Sequence, residues 1–332
     1  MNINQLLQTT IDHKASDLHL VTNQMPRIRV EGQLRALNTI PIDNSAMQKI
    51  ITEIFNEDQQ NYYRDNFDCD VAYTRDNIGR FRVNAYVDRH GSALAFRPIP
   101  EKIPDFHDLG LDDGFIKLCC QPNGIILITG PTGCGKSTTL AAMIDYINNN
   151  NHLHIITIED PIEFYHHSKH CLINQREVRQ HSKDFHTALR AALREDPDII
   201  LLGEMRDPET ISLALTAAET GHLVLATLHT ASAPKAITRI LDAFPDAAKQ
   251  SVRLMLSESL RAVVAQQLMK RIDGGRVAAR EIMINTPAIA NMIREEKLPQ
   301  IYSAIQTGQA YGMMTMAQSV EKLVVKGLIE KF

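Results

Sequence analysis

The segment from Gly130 to Ser137 constrains this chain more than any other feature, because it reads Gly-Pro-Thr-Gly-Cys-Gly-Lys-Ser and matches the phosphate-loop pattern GxxxxGKS in full. An apolar run typical of a buried strand precedes it and helical apolar spacing follows it, which is the context that makes this motif specific. Glycines let such a loop turn until consecutive backbone N–H groups face an anion, and the following helix adds its positive N-terminal end. The sequence therefore predicts a site for the phosphates of ATP.

The residues of this loop have expected parts in holding ATP and Mg²⁺. Lys136 should reach the β- and γ-phosphates, and the Ser137 hydroxyl should be a ligand of Mg²⁺. The predicted nucleotide-binding residues are Gly130, Pro131, Thr132, Gly133, Cys134, Gly135, Lys136, Ser137 and Thr138. A glycine-rich turn with an accidental lysine is the alternative, and the complete motif between strand and helix patterns argues against it.

Carboxylates follow two other apolar runs, at the points where predicted strands end. Residues 155–158 run into Glu159 and Glu163, and residues 199–202 are followed by Glu204. Phosphoryl transfer needs positioning and charge neutralisation, which carboxylates beside a phosphate loop can provide. Without the loop these side chains would be interpreted as helix caps or solvated turns. With the loop, both clusters become candidates for catalysis.

Two histidines bracket the apolar run of residues 223–228. If the run is one strand, His222 and His229 lie roughly 20 Å apart at about 3.3 Å per residue, which is too far for both to touch one phosphate. His229 follows the carboxyl end of the strand, where open α/β sheets bind ligands, so it is the candidate for sensing the γ-phosphate. For His222, a structural role, a functional role and contact with a neighbouring subunit all stay open.

The apolar pattern also divides the chain into parts. Residues 1–97 alternate short amphipathic strands with helical segments, which predicts a small α+β domain. Three prolines within seven residues predict an interdomain linker over residues 98–112. Residues 113–332 predict an α/β domain, in which the strand signal gives way to a terminal helical bundle from about residue 286. The predicted buried strands of this domain are residues 125–128, 155–158, 199–202 and 223–228.

Composition excludes several classes of protein. The 332 residues are 44% hydrophobic and 22% charged, with a net charge of -4 and no block of five or more like charges, so no nucleic-acid partner is predicted. No apolar run approaches the ~18 residues of a membrane span, and the N-terminus lacks the pattern of a secretion signal. Five cysteines without a CxxC pair suit a reducing compartment. We therefore expect a cytoplasmic globular protein.

Residues 193–207, LREDPDIILLGEMRD, closely resemble the signature of the secretion ATPase family that powers type II secretion and type IV pili. Residues 159–163 look like the aspartate box of that family, and residues 221–230 look like its histidine box. Residues 15–19 and 96–100 are also similar to family sequences. The resemblance therefore extends over nearly the whole chain.

The resemblance implies a homohexameric ring whose subunits have an N-terminal PAS-like domain and a RecA-like phosphate-loop core, with ATP bound between them. Glu204 would support Mg²⁺ through water molecules, and Glu163 would orient or deprotonate the attacking water. Arginines of the N-terminal domain would supply charge to the transition state. The candidates are Arg80, Arg82 and Arg97, of which the resemblance favours Arg82 and Arg97. Arg80 and Arg82 share one face of a predicted strand, which a solvated edge strand would also show.

Within the family, the chain is most similar to the pilus-retraction ATPases, through its short N-terminal region and through residues 288–295. This segment reads AIANMIRE where those proteins carry AIRNLIRE, so Ala290 replaces an arginine. Cys134 replaces the usual serine of the phosphate loop, a change that leaves the backbone N–H donors in place. The resemblance implies a motor for pilus retraction and twitching motility. It would lie peripherally on the cytoplasmic face of the inner membrane, with the pilus platform protein as its partner.

Three alternatives remain at this point. A pilus-assembly or type II secretion ATPase would need the same hydrolytic residues, although assembly ATPases usually carry a longer N-terminal region and a four-cysteine zinc motif. A RecA-like DNA motor would share the loop but add a basic groove or base-stacking aromatic residues. A nonhydrolysing scaffold subunit is disfavoured by the intact set of Lys136, Ser137, Glu163 and Glu204.

Overall fold

Two separate β-sheets organise the chain in the structure, a computed structural model that describes residues 2–99 and 102–331. Residues 1, 100, 101 and 332, which the predicted domains and linker include, lie outside the described residues. The chain forms two compact units, Met1–Lys102 and Ile103–Phe332. Each unit has its own sheet and its own buried apolar cluster.

The N-terminal unit is an α+β domain, as predicted. Its elements are α1 (Ile3–Asp12), β1 (Asp17–Val21), β2 (Arg27–Val30), β3 (Gln33–Ala36), α2 (Asn44–Ile54), α3 (Glu57–Asn66), β4 (Asp68–Arg75), β5 (Gly79–Asp88) and β6 (Gly91–Ile99). Within residues 2–99, the six strands form one antiparallel sheet in the order β3-β2-β1-β6-β5-β4. The core of this sheet includes Phe81 and Val83 of β5 and Leu94 and Phe96 of β6, and Phe81 and Phe96 meet edge to face with ring centroids 6.4 Å apart.

Strand β6 extends further than the sequence predicted. Pro98 and Ile99 continue its ladder with β5, whereas its pairing with β1 ends at Phe96, opposite Leu18. Beyond that point one side of β6 has no strand partner, so the missing N–H of a proline costs the sheet no ladder hydrogen bond. The predicted linker is therefore wrong at Pro98 and Ile99, which belong to the sheet.

The second unit is a mostly parallel α/β domain. Its elements are α4 (Asp113–Cys119), β7 (Gly124–Thr129), α5 (Lys136–Asn150), β8 (His154–Glu159), β9 (Leu172–Glu177), α6 (Phe185–Ala192), β10 (Ile199–Leu202), α7 (Pro208–Glu219), β11 (Leu223–Leu228), α8 (Ala233–Asp242), α9 (Asp246–Ser259), β12 (Leu260–Lys270), β13 (Arg276–Ile284), α10 (Pro287–Arg294), α11 (Ile301–Thr307) and α12 (Met316–Val325). Short 3₁₀ turns occupy Leu298–Gln300 and Gln309–Tyr311.

Over residues 103–331, seven strands form one sheet in the order β13-β12-β7-β11-β10-β8-β9. All neighbours are parallel except β12 and β13, which form an antiparallel pair. The four predicted buried strands are confirmed as β7, β8, β10 and β11. Every residue of β7, β10 and β11 is buried, because separate apolar clusters cover the two faces of the sheet.

After β13 the regular elements of the described residues are the helices α10, α11 and α12 and the two 3₁₀ turns, in agreement with the predicted helical bundle from about residue 286. In α10, Ile289 and Ile293 are fully buried and Met292 packs against the same cluster. This apolar stripe therefore anchors the helix to the core. Among the described residues, no helix combines the length and the apolar character that a membrane span requires.

Candidate nucleotide-binding site

The phosphate loop, residues 130–135, connects β7 to α5, as the motif predicted. Gly130 has a φ of +143°, and a Cβ atom there would lie 2.3 Å from the Gln266 carbonyl oxygen. Gly133 and Gly135 also have positive φ angles, +76° and +86°. Side chains at these positions would clash or strain the backbone, so the loop depends on its glycines. Gly135 caps the N-terminus of α5, whose first N–H groups have no partner within the helix and are available to an anion.

Lys136 is the first residue of α5 and its side chain lies inside the loop. The residue is only 9% exposed. Its Nζ donates hydrogen bonds to the carbonyl oxygens of Gly130 at 2.9 Å and Pro131 at 3.1 Å. These contacts hold a cation where phosphate oxygens are expected to bind, while Pro131, Thr132 and Gly133 remain exposed at the surface of the loop.

The neighbouring strand β12 supports the loop from one side. Gln266 of β12 donates from Nε2 to the Cys134 carbonyl oxygen at 2.6 Å and accepts from the Thr139 hydroxyl at 2.9 Å. Cys134 is 3% exposed, and burial raises the pKa of its thiol. Its side chain therefore points into the protein rather than into the loop.

Parallel pairing brings the carboxyl ends of the central strands to one edge of the sheet. Leu228 of β11 pairs with Thr129, the last residue of β7, so His229 follows directly beside the phosphate loop. Strand β10 is next to β11, and Glu204 follows it. The strand ends are about 5 Å apart at each step across the sheet. Two of the predicted site residues therefore lie on the same edge as the loop.

The structure brings Glu204 and His229 into contact. His229 Nε2 lies 3.2 Å from one Glu204 carboxylate oxygen, and Arg206 Nη2 lies 2.5 Å from the other. The Glu204 side chain is 12% exposed, whereas His229 is about half exposed. The carboxylate is thus held by groups from two strand ends, so a ligand that moves His229 would also affect Glu204.

The end of β8 and the segment after it place two further carboxylates, Glu159 and Glu163, at this edge. Glu159 accepts hydrogen bonds from the Thr157 hydroxyl at 2.8 Å and from Gln175 Nε2 at 3.4 Å. Burial raises its pKa from 4.5 to about 7, the two hydrogen bonds oppose this rise, and the nearby charge of Glu163 adds to it. A carboxyl group that titrates near neutrality at a ligand-binding edge is well suited to proton transfer.

The position of the Glu163 segment is fixed by β9, which the sequence analysis did not single out. Glu177 of β9 is 5% exposed and accepts a hydrogen bond at 3.1 Å from the backbone N–H of Ile162, the residue before Glu163. The backbone N–H of Glu177 in turn donates to His181 Nδ1 at 2.9 Å. The buried carboxylate therefore ties the turn after β8 to the neighbouring strand.

The residues present suit Mg²⁺ by their chemistry. Ser137 and Thr138, in the first turn of α5, are partly buried and carry hydroxyl oxygens. Glu204 adds a carboxylate on the same edge of the sheet. Mg²⁺ prefers oxygen ligands and usually keeps several water molecules, so one hydroxyl with a carboxylate acting through water is an adequate set.

The candidate arginines belong to the N-terminal unit. Arg82 Nε donates to Asp70 at 3.0 Å, and Arg97 Nη2 lies 3.0 Å from Asp17 with its side chain 60% exposed. Arg80 is 5% exposed. Strand β5 lies between β4 and β6, so the alternative of an edge strand is wrong for both Arg80 and Arg82.

His222 lies at the opposite end of β11 from His229. Its ring Nδ1 is 3.0 Å from the Ala217 carbonyl oxygen, and its own carbonyl accepts from the Gly124 N–H. The ring contact joins His222 to the end of α7, and its backbone carbonyl joins the starts of β11 and β7.

A mostly parallel sheet with a phosphate loop after a central strand, β7, and with carboxylates at the ends of β10 and β8 on the same edge, defines a nucleotide-binding α/β protein of the phosphate-loop class. Residues 1–327 match the family model described as type II/IV secretion system protein. The chain therefore belongs to the type II/IV secretion system protein family, and the family identified from its motifs is confirmed.

Individual relatives agree with this assignment. The type IV pilus retraction ATPase PilT of Pseudomonas aeruginosa is 53% identical over 331 residues, which is 100% of this chain and 96% of the relative. A twitching motility protein of Neisseria gonorrhoeae is 51% identical over 99% of this chain and 88% of its own length. A crystal structure of the pilus retraction motor PilT with bound ADP aligns with 99% of this chain and 95% of its own, at 45% identity and a TM-score of 0.90. The predicted RecA-like ATPase class is therefore confirmed.

Proposed function

We propose that this chain is the ATP-hydrolysing motor that drives retraction of type IV pili. The observation that carries the proposal is the phosphate loop, with Lys136 buried against its carbonyl groups, in a chain that is similar over its full length to pilus-retraction ATPases. ATP with Mg²⁺ would supply the transferable phosphoryl group when bound. A pilus-assembly ATPase would need the same hydrolytic residues. The choice of retraction over assembly therefore depends on the similarity to pilus-retraction ATPases.

The residues at the edge of the sheet divide the chemistry of hydrolysis between them. Lys136 and the N–H groups of the loop bind phosphate, and Ser137 with Glu204 would hold Mg²⁺. Glu163 would orient or deprotonate the attacking water, and His229 would sense the γ-phosphate through its contact with Glu204. Arginines at positions 82 and 97 would add positive charge to the transition state.

The proposed working assembly is a homohexameric ring at the cytoplasmic face of the inner membrane. Its partner would be the membrane-embedded platform protein of the pilus. Asn291 and Arg294 of α10 and Glu295, which caps its C-terminus, lie off the buried stripe of Ile289 and Ile293 and are the side chains proposed to make this contact. Nucleic acid is not a proposed partner, because the chain carries a net charge of -4 and no basic block.

The first experiment replaces Lys136 with alanine in the chromosomal copy of the source organism and counts surface pili and twitching. Lys117→Ala, at an exposed position of α4, is the matched control. Expression and fold of both variants are verified first. We expect abundant pili without twitching in Lys136→Ala cells and normal behaviour in control cells. Cells without pili would indicate a role in pilus assembly instead. Normal pili with normal twitching would exclude both retraction and assembly.

A second experiment tests the role of Glu163 on the purified protein. Glu163→Gln should bind ATP as the wild type does but lose turnover by at least about a hundredfold, because a glutamine cannot accept the proton of the attacking water. Glu219→Gln, on the exposed end of α7, is the matched control. Unchanged turnover in Glu163→Gln would exclude it as the base.

The arginines are tested by separate alanine substitutions at Arg82 and Arg97, with Arg35→Ala on the exposed strand β3 as the control. Each of the first two should lower the turnover of ATP by more than about tenfold while the third leaves it unchanged. If both Arg82→Ala and Arg97→Ala hydrolyse ATP at the wild-type rate, neither arginine acts on the transition state.

A further inference from the structure

Gln266 is a polar residue in the middle of a buried strand. The β12–β7 ladder pairs Ala265 with Thr129, so Gln266 lies level with Gly130, the first residue of the phosphate loop. The residue is 2% exposed. A buried amide is unfavourable unless its donor and acceptor are both used. Both polar groups of the Gln266 side chain are therefore expected to have hydrogen-bond partners inside the protein.

Both ends of the Gln266 amide are used by the phosphate loop and the helix after it. Nε2 donates to the Cys134 carbonyl oxygen at 2.6 Å, and Oε1 accepts from the Thr139 hydroxyl at 2.9 Å. Thr139 is 1% exposed, so water does not compete for its hydroxyl. A side-chain amide offers a donor and an acceptor at once, which a carboxylate or an apolar side chain cannot. One side chain thus joins the loop to the first turn of α5.

The bond to Cys134 fixes the orientation of a whole peptide group. A trans peptide is planar, so its C=O and N–H point in opposite directions. Because the Cys134 carbonyl points at Gln266, the N–H of Gly135 must point away from β12. In a phosphate loop, N–H groups turned in this way are the donors that an anion requires.

Gln266 also faces the space next to the loop. A cavity of about 320 Å³ adjoins the first turn of α5, and Gln266, Gly135 and Thr138 contribute to its wall together with Arg280. Arg280 is 6% exposed, and burial lowers its pKa to about 10. The amide therefore lies between the loop backbone and a cavity that carries a buried cation.

We propose that Gln266 is a positioning residue that holds the phosphate loop in its anion-binding form through the Cys134 peptide. This inference rests on the proposed nucleotide binding at the same loop. Gln266 acts through the backbone of the loop, and its loss weakens the binding of the nucleotide phosphates.

The experiment measures the affinity of the purified full chain for a fluorescent ADP analogue at pH 5.5 and pH 8, for the wild type, Gln266→Met and Gln266→Glu. Gln266→Met keeps the length of the side chain but loses both hydrogen bonds, so its affinity should be about tenfold lower than that of the wild type at both pH values. Gln266→Glu should approach wild-type affinity at pH 5.5 and fall about tenfold or more below it at pH 8. Burial raises the pKa of the new carboxyl, the positive charges of Arg271, Arg276 and Arg280 in the wall of the same cavity oppose this rise, and only the protonated form can donate to the Cys134 carbonyl.

Two controls separate positioning from general damage. Gln267→Glu introduces the same carboxyl at the exposed neighbouring residue and should match the wild type at both pH values. Circular dichroism without nucleotide establishes that each variant is folded under the assay conditions. If Gln266→Met does not fold, the ratio of the affinities of Gln266→Glu at pH 5.5 and pH 8 still tests the role of Gln266.

The outcomes for the inference and for the proposed function differ. A wild type that does not bind the ADP analogue would contradict the proposed function itself. A wild type that binds, together with Gln266 variants of equal affinity at both pH values, would overturn the role of Gln266 alone. A pH-dependent loss in Gln266→Glu that Gln267→Glu does not share supports the inference.

Discussion

Glu159 makes the stability of the ATPase unit depend on pH in a direction that can be calculated. Its pKa is raised from 4.5 to about 7 by burial at the end of β8. Between pH 4.5 and about pH 7, Glu159 is ionised in the unfolded chain but still protonated in the folded chain. Glu159 therefore contributes most to the free energy of unfolding at low pH, and this contribution is lost as the pH rises from 4.5 through 7. At about 1.4 kcal/mol for each pH unit between the two pKa values, the loss by pH 8 is up to about 3 kcal/mol.

Glu159→Gln should remove this dependence. The Glu159 oxygen that accepts from Thr157 and Gln175 can be replaced by the amide oxygen of glutamine, so both hydrogen bonds are kept. The new amide carries no charge beside Glu163. We expect the free energy of unfolding of the variant to equal that of the wild type at pH 4 and to exceed it by up to about 3 kcal/mol at pH 8.

The assay is urea denaturation of both proteins between pH 4 and pH 8 at one fixed protein concentration. Circular dichroism is the suitable probe, because the chain contains no tryptophan. The two units can unfold in separate transitions, and only the transition of the unit that contains Glu159 should differ between the proteins. Glu219→Gln, an exposed carboxyl in the same unit, is the control and should leave the pH dependence unchanged. Equal stability of Glu159→Gln and the wild type at pH 8 would refute the reasoning.

Three further substitutions follow from single contacts. Gly130→Ala should destabilise the protein by about 3 kcal/mol in thermal denaturation, since its Cβ would lie 2.3 Å from the Gln266 carbonyl at a strained φ; an unchanged midpoint would disprove the clash. Asp207→Ala should cost about 1 kcal/mol in urea denaturation, because Asp207 caps α7 through the Thr210 N–H at 2.7 Å, whereas Asp207→Asn should restore most of it. Cys134→Ser should bind ADP within about twofold of the wild type, because the loop uses the backbone here; a tenfold loss in a titration would show that the thiol matters.

The parts of the fold that the sequence predicted are those with a strong local signal. The four apolar runs became buried strands because each is long enough to cross a sheet that helices cover on both faces. The phosphate loop was predicted because its glycines must adopt positive φ angles, which few other residues tolerate. Glu204 and His229 were predicted separately, from the ends of β10 and β11. Their contact depends on the order of the strands, which no local pattern contains.

Strands β9 and β12 were not predicted from the sequence, for different reasons. In β9 the polar residues predominate and only Ile173 and Glu177 are buried, so the apolar alternation of a strand is missing. Strand β12 begins at Leu260 directly after α9 ends at Ser259, and no glycine or proline lies between residues 246 and 273 to mark the change. Pairing with β7 and β13, rather than local propensity, makes this segment a strand.

Strand β12 explains part of the phosphate-loop motif. At Gly130 the atom closest to a hypothetical Cβ is the backbone oxygen of Gln266, and at Gly135 the contact within 4 Å is its side-chain amide at 3.2 Å. Both glycines therefore accommodate β12 as well as a nucleotide. A bulkier residue at Gly130 would meet the backbone of β12 and separate the strand from the loop, and one at Gly135 would displace the Gln266 amide and break its bond to Cys134. The spacing of the phosphate-loop glycines is thus a requirement of the sheet around the loop, in addition to the requirement of the phosphates inside it.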